Sequence, residues 1–401
     1  MRIQWQTTAI LAIATASFVE SQHRPHKRWL PAIDKIRGVN LGSQFILEPW
    51  MARDEWRRMG CENRPDEWSC VADLGQNAAD RAFRSHWQTW ITADDLREIK
   101  SYGLNTVRIP VGFWINENLV GAGEHYPRGG LEYLDYLVGN ASALGLYVIM
   151  DLHAGPGAQF PVVPYTGHVV VQPGFYTPYN YERACRFLEW MTERIHTHAA
   201  YASVGMLQVL NEPVHSDNYP WQAADMVANF YPGAWNRIRQ CEADMGIAVR
   251  DKLHIQFMAE SWGAGNPSQN LRETRSIFYD DHRYFKWDTT VGGTPEAYIA
   301  KACADNRGGS DTIVGEWSLA VADDVQYTSA FDVRADANKA WYRDFFAAQV
   351  HAFERSGGWV FWSWKVDPIA GIEDWRWCYK GAVEAGVIPK NAATVAGMSA
   401  C

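Results

Sequence analysis

Residues 129–212 carry the reading that decides the fold: a helix-like stretch (129–144), the run LYVIMDLH (146–153), a second helix-like stretch (179–198) and the run GMLQVLNE (205–212). Both runs are nearly continuous in apolar residues, as strands covered on both faces must be, and a helical crossover between two such strands makes them parallel. The same alternation continues outward in both directions. Further runs are IRGVNL (36–41), NTVRIP (105–110), LHIQFM (253–258), SIFYDDH (276–282), TIVGEW (312–317) and GWVFWSW (358–364). Helix-like segments fall at 92–102, 222–246, 295–304 and 337–356, the first opened by Thr92 with Asp95 three residues on. Eight strands with intervening helices close into an α/β (β/α)8 barrel. A doubly wound open sheet is the second choice, but no Gly-rich dinucleotide fingerprint follows any strand.

Composition sets the class of partner. The 401 residues include 37 Lys+Arg and 46 Asp+Glu, a formal charge of −9, with no long basic run, so a nucleic-acid partner is not expected. A hydrophobic content of 47% suits a large folded core. The 20 Trp, 18 Tyr and 16 Phe supply flat faces that fill cores or stack on sugar rings.

The N-terminus reads as a targeting segment. Met1-Arg2, the apolar stretch 7–19 (TTAILAIATASFV) and Ala14-Thr15-Ala16 predict a secretory signal peptide over about residues 1–20. An N-terminal tail (21–35) with Lys27-Arg28 follows, and then one catalytic domain (36–395). The apolar stretch is too short for a membrane span of roughly 20 residues. A secreted, monomeric protein without a membrane segment is expected. The 7 cysteines suit an oxidising compartment. Cys61 and Cys70, around a short polar loop, are the pair to propose, and Cys185 is a candidate free thiol. No C-x-x-C or H-x-x-x-H spacing occurs, so structural zinc is not expected. Asn140-Ala141-Ser142 is a glycosylation sequon. Residues 43–91 exceed an ordinary βα loop, and Trp50, Trp56, Trp68, Trp87 and Trp90 predict an ordered lobe beside the barrel mouth.

Function in such a barrel gathers where the strands end. The runs place there Glu48, Arg108, His153, Asn211, Glu212, His282, Tyr284, Glu316, Trp362 and Trp364. Glu212 precedes Pro213, and Glu316 ends TIVG; each alone reads equally as a salt-bridged strand-end acid. As a pair on the fourth and seventh strands they can flank a glycosidic bond, with about 5–5.5 Å between them if the reaction is a double displacement. Asn211 can hold a sugar 2-hydroxyl. Glu316 as nucleophile needs donors, which Arg108 and Tyr284 can supply, whereas Glu212 as acid must hold a proton. His153 and His282 are expected to hydrogen-bond rather than bind metal, and no cofactor is expected.

RGVNLGSQFILEPWM, LNTVRIPVGFW, VIMDLHAGPGAQ, LNEP, DDHRY, IVGEW and WVFWSWK, in that order, resemble the clan of retaining glycosidases that contains glycoside hydrolase family 5, and its fungal β-glucanase branch in particular. EWSCV, PRGGL, EWMTERIHT, LNEPVHS, HRYFKWDT and WRWCY are similar to the fungal secreted glucan endo-1,6-β-glucosidases. The resemblance runs over about residues 36–390. It implies Glu212 as acid/base, Glu316 as nucleophile, and a substrate-subsite set of Arg108, His153, Asn211, His282, Tyr284 and Trp362. Glu48 matches a position that binds the nonreducing-side sugar, and Trp364 is added as a stacking platform. One departure is AGPGAQ where the branch usually has GAPGSQ. The expected substrate is a β-glucan polysaccharide, β-1,6-linked and cut internally. The rivals are exo-β-1,3-glucanase, a noncatalytic carbohydrate-binding barrel and a metal-dependent barrel hydrolase.

Overall fold

Eight parallel strands close on themselves. They are β1 (Ile36–Asn40), β2 (Thr106–Gly112), β3 (Tyr147–Ala154), β4 (Val204–Gln208), β5 (His254–Met258), β6 (Ile277–Arg283), β7 (Thr312–Trp317) and β8 (Gly358–Phe361). Each pairs with the next, and β8 returns to β1 through Ile36 opposite Gly358, so the open doubly wound sheet is ruled out. The computed structural model describes residues 35–398 and Cys401. The expected signal peptide, Lys27-Arg28 and the tail up to residue 34 lie outside the described residues.

The helices fall where the periodicity places them, with one interruption. The Thr92–Asp95 capping box forms at the head of Ala93–Ser101. The stretch expected over 222–246 is instead Pro220–Asp225, a π turn at Met226–Phe230, and Tyr231–Asp244. Pro232 explains the break: without an N–H it cannot continue an i→i−4 ladder, and the wider turn absorbs the lost bond. The lobe over 43–91 consists of three helices, Arg53–Arg58, Glu67–Leu74 and Gln76–Thr89, and the Cys61–Cys70 disulfide joins the first two segments. Trp56, Trp87 and Trp90 are buried in the same core that packs the outside of the strands, so the lobe is part of the barrel domain. A second disulfide, Cys303–Cys401, ties the C-terminus across a separation of 98 residues; no local spacing signals it. Cys185 is free and buried as expected.

The barrel interior has two layers. Ile36, Tyr147, Ile149, Met206, Phe278, Ile313 and Val360 fill one end with apolar side chains. Above them the layer is polar: Asn40, Arg108, Asp151, Gln208 and Asp280 are all buried. A register shift between Asp281 and His282 puts His282 opposite Glu316 on β7. Gly315 is required at this point, because a Cβ there would stand 1.8 Å from Asp280 Oδ1. Gly315→Ala should therefore cost about 1–3 kcal/mol of stability by overpacking, read as a lowered urea midpoint, with activity falling alongside because Asp280 is displaced.

Candidate active site

Arg108 is fully buried under the mouth of the barrel and shared among three acids. Nη2 lies 3.0 Å from Asp151 and 3.4 Å from Asp280, and Nη1 lies 2.9 Å from Glu316 Oε1. The guanidinium also donates to Asn40 Oδ1 at 2.9 Å, Gln208 Oε1 at 3.0 Å and Asn211 Oδ1 at 2.8 Å. Tyr284, just past β6, donates its hydroxyl to Glu316 Oε2 at 2.9 Å. Both oxygens of Glu316 thus hold a donor. With Oδ1 of Asn211 taken by Arg108, its Nδ2 is left without a protein partner at the cavity wall, where a sugar hydroxyl can accept from it.

Glu212 sits in a left-handed backbone conformation, φ 35°, beyond the end of β4. A non-glycine residue stays in that region only where its surroundings fix it, and such strain concentrates at functional sites. His282 Nδ1 donates to Glu212 Oε1 at 2.6 Å, and His282 Nε2 donates to Asp280 Oδ2 at 3.2 Å. One oxygen of Glu212, one of Glu316 and a nitrogen of His282 all lie within 4.8 Å of one another. That spacing fits the roughly 5–5.5 Å of a double displacement and is too close for the water that an inverting pair must hold between its carboxyls. It does not describe an ion site as it stands: two ligands of one zinc ion stand about 3.4 Å apart, and the 2.6 Å His282–Glu212 contact is a hydrogen bond.

The electrostatics distribute the protons unequally. Burial opposes a charge on His282, but Glu316, Asp280 and Glu212 outweigh it and raise its pKa well above the ordinary value, so it is an imidazolium. Burial pushes Glu212 up, yet the His282 hydrogen bond and charge prevail and hold it below the usual carboxylate range. Glu316 is raised by burial and by the charge of Glu212, against the pull of His282 and Arg108. The sequence reading asked for a proton on Glu212. The His282 hydrogen bond and charge instead favour its ionised form.

The pair opens onto a cavity of about 650 Å³. Of the sequence-predicted residues, Glu48, His153, Asn211, Glu212, Tyr284, Glu316 and Trp362 line it. His153 donates Nδ1 to Asp151 at 2.7 Å, and its ring stacks parallel to Trp362 at 5.6 Å. Glu48 accepts from Trp50 Nε1 at 2.8 Å. Arg108 and His282, expected among the substrate contacts, lie beneath the carboxylates and reach substrate only through them. Trp364 is a correction. β8 ends at Phe361, so the two-residue alternation stops before it could bring Trp362 and Trp364 to one face. The Trp364 ring is fully buried outside the barrel, with Nε1 bonded to Asp95 at 2.9 Å. The sequence reading missed Tyr165, Trp262, Trp287, Tyr327 and Trp377, which line the cavity from loops without periodicity. It also missed Asp151 and Asp280, although DLH and DDH each set an acid two residues before a histidine on one strand face.

Comparison with known proteins agrees with this geometry. Residues 71–368 match the cellulase family (glycosyl hydrolase family 5). The chain belongs to glycosyl hydrolase family 5. It is similar to glucan endo-1,6-beta-glucosidase B of Emericella nidulans, at 51% identity over 377 residues, covering 94% of this chain and 90% of that one. Glucan 1,3-beta-glucosidase of Blumeria graminis is 30% identical over 395 residues, covering 89% and 87%. Among solved structures, rutinosidase from Aspergillus niger matches with a TM-score of 0.65 at 19% identity, covering 88% of this chain and 98% of that one. AoRut matches with a TM-score of 0.69 at 18% identity, covering 89% and 97%. At such identity the two structures support the fold alone.

Two acids beside the site predict how stability depends on pH. Burial pushes the Glu48 carboxyl up to about 7. Burial likewise raises Glu67, whose Oε1 accepts from Leu47 N at 2.7 Å, to about 8. Both pKa values are raised on folding, so the folded chain keeps protons that the unfolded chain sheds above about pH 4.5. Folding takes up protons in that window, and stability falls as pH rises from there to about 8. Denaturant titrations across this range should show the decline, and Glu67→Gln should flatten it.

Proposed function

We propose that this family 5 chain is a secreted glycosidase that hydrolyses β-1,6-glucan within the polymer, with net retention at the anomeric carbon. The observation that carries the reading is the approach of Glu212 and Glu316 to within 4.8 Å across the cavity floor. Glu316, held by Arg108 and Tyr284, attacks the anomeric carbon as Glu212 protonates the glycosidic oxygen. The bond to the leaving sugar breaks and a covalent glycosyl–Glu316 ester forms. Water then attacks the anomeric carbon from the face the leaving sugar vacated; Glu212, now ionised, takes its proton, the bond from that carbon to Glu316 breaks, and Glu316 leaves as a carboxylate. The free Nδ2 of Asn211 is placed for the 2-hydroxyl, a contact that strengthens as charge develops on the ring.

The linkage is argued from similarity: relatives covering nine-tenths of the chain are named glucan endo-1,6-beta-glucosidases at 51% and 49% identity. The 1,3-glucosidase stands at 30%. Internal cutting suits a cleft walled by the exposed aromatic faces of Trp287 and Tyr327, 60% and 49% accessible, which can carry a chain past the reacting sugar. Among the described residues no helix is long and apolar enough to cross a membrane.

Purified enzyme should release oligomers from pustulan and leave laminarin largely intact; free glucose from laminarin with no oligomers from pustulan would overturn the linkage. Nuclear magnetic resonance of the first products should show the β anomer. Glu316→Gln should lower turnover about 10³-fold or more while polysaccharide binding stays measurable. A chelator should leave the rate unchanged, whereas a metal-dependent hydrolase would lose it.

A further inference from the structure

Tyr165 occupies a position that the double-displacement scheme does not use. It lies in the 3-10 turn Pro164–Thr166, on the long loop after β3, and reaches into the cavity. Its hydroxyl is among the groups that draw the Glu212 carboxyl toward its ionised form, and its ring meets His153 edge-on at 5.7 Å. The turn is fastened from behind by the stapled lobe. Trp68 N donates to Gly167 O at 3.0 Å, and Val169 N donates to Asp66 Oδ2 at 2.5 Å. The Trp68 indole stacks on the His168 imidazole at 4.3 Å, nearly parallel. Gly167 has φ 71°, and a Cβ there would stand 2.1 Å from Trp114. Thr166 Oγ1, on the buried side of the turn, donates to His168 O at 2.8 Å.

We propose that Tyr165 is a positioning residue for Glu212, held in place by the Asp66–Trp68 corner of the disulfide-stapled lobe, and that it favours proton delivery to poor leaving groups. The inference rests on the reading of Glu212 as the acid/base. When Glu212 gives its proton to the glycosidic oxygen, it becomes a carboxylate, and the Tyr165 O–H bonds that charged form more strongly than the neutral acid. The proton is thus easier to give, which matters for a sugar alkoxide and little for a nitrophenolate. The other groups facing Glu212 are His282 and Tyr284 at the end of β6, Glu316 on β7, His153 on β3 and Glu48 beyond β1. None of them comes from this loop.

The test is Tyr165→Phe, assayed on β-1,6-glucan oligomers and on a nitrophenyl β-glucoside across pH. The expected result is a kcat about tenfold lower on oligomers, nearly unchanged on the nitrophenyl substrate, with the alkaline limb moved to higher pH because Glu212 has lost a donor to its charged form. His168→Ala should lower kcat in the same direction, and the double variant should be no worse than Tyr165→Phe alone, since both act through one hydroxyl. Equal losses on both substrates with an unmoved limb would overturn the positioning role. Additive losses would overturn the anchoring by the lobe. Failure of the acid/base reading itself is separately visible: Glu212→Ala with added azide should give β-glucosyl azide from the nitrophenyl substrate, and no rescue would reject that reading whatever Tyr165→Phe does.

Discussion

A buried positive charge organises this barrel. Removing the Arg108 guanidinium from water costs several kcal/mol, and it is tolerated only because the fold supplies counter-charges on all sides. β3 brings Asp151, β6 brings Asp280 and β7 brings Glu316, each within 3.4 Å. Asn40, Gln208 and Asn211 fill the remaining donor directions. The strands that meet at Arg108 are therefore locked in register by more than their ladders. Glu316, which the chemistry needs at a fixed point, is held there by the same attraction that makes the arginine bearable. A shift of any one strand would leave an unpaired charge inside the protein, so the site is rigid for the reason that the fold is specific.

How far the sequence reveals this layout follows from periodicity. The strands are legible because each is covered on both faces and reads as an apolar run. Glu212 and Glu316 are legible because each interrupts such a run at its end. The interior acids Asp151 and Asp280 carry a fainter signal, a repeated acid-x-histidine pattern whose meaning depends on which face points inward. Trp364 was misjudged because GWVFWSW looks like one seven-residue strand, whereas the strand itself ends at Phe361. Tyr165 and Trp262 stand on loops, where no period relates neighbouring residues and only tertiary docking decides their direction. The Cys303–Cys401 bond belongs to the same class.

The long lobe after β1 shows how a loop can be made precise enough for catalysis. A segment of this length would be costly to order by itself. Here the Cys61–Cys70 bond limits its freedom, and Trp56, Trp87 and Trp90 sink into the barrel core. Once ordered, the lobe presents Asp66 and Trp68 to the loop after β3, and Glu67 to the backbone at Leu47, next to Glu48. Order is thus passed from the barrel to the lobe and from the lobe to two loops of the cavity.

Proton placement is the remaining step. The 2.6 Å His282–Glu212 hydrogen bond favours the charged carboxylate and the protonated imidazole. Burial favours the neutral form of Glu212, as does the like charge of Glu316, and a sugar filling the cavity replaces water and adds to the first. Protonating Glu212 needs only a transfer along a 2.6 Å hydrogen bond already in place. His282 would then be neutral, with Asp280 still accepting from its far nitrogen, and the positive charge that favours an ionised Glu212 would be gone. The histidine beneath the pair is thus placed to exchange a proton with the acid, and burial by a bound sugar shifts that exchange toward Glu212.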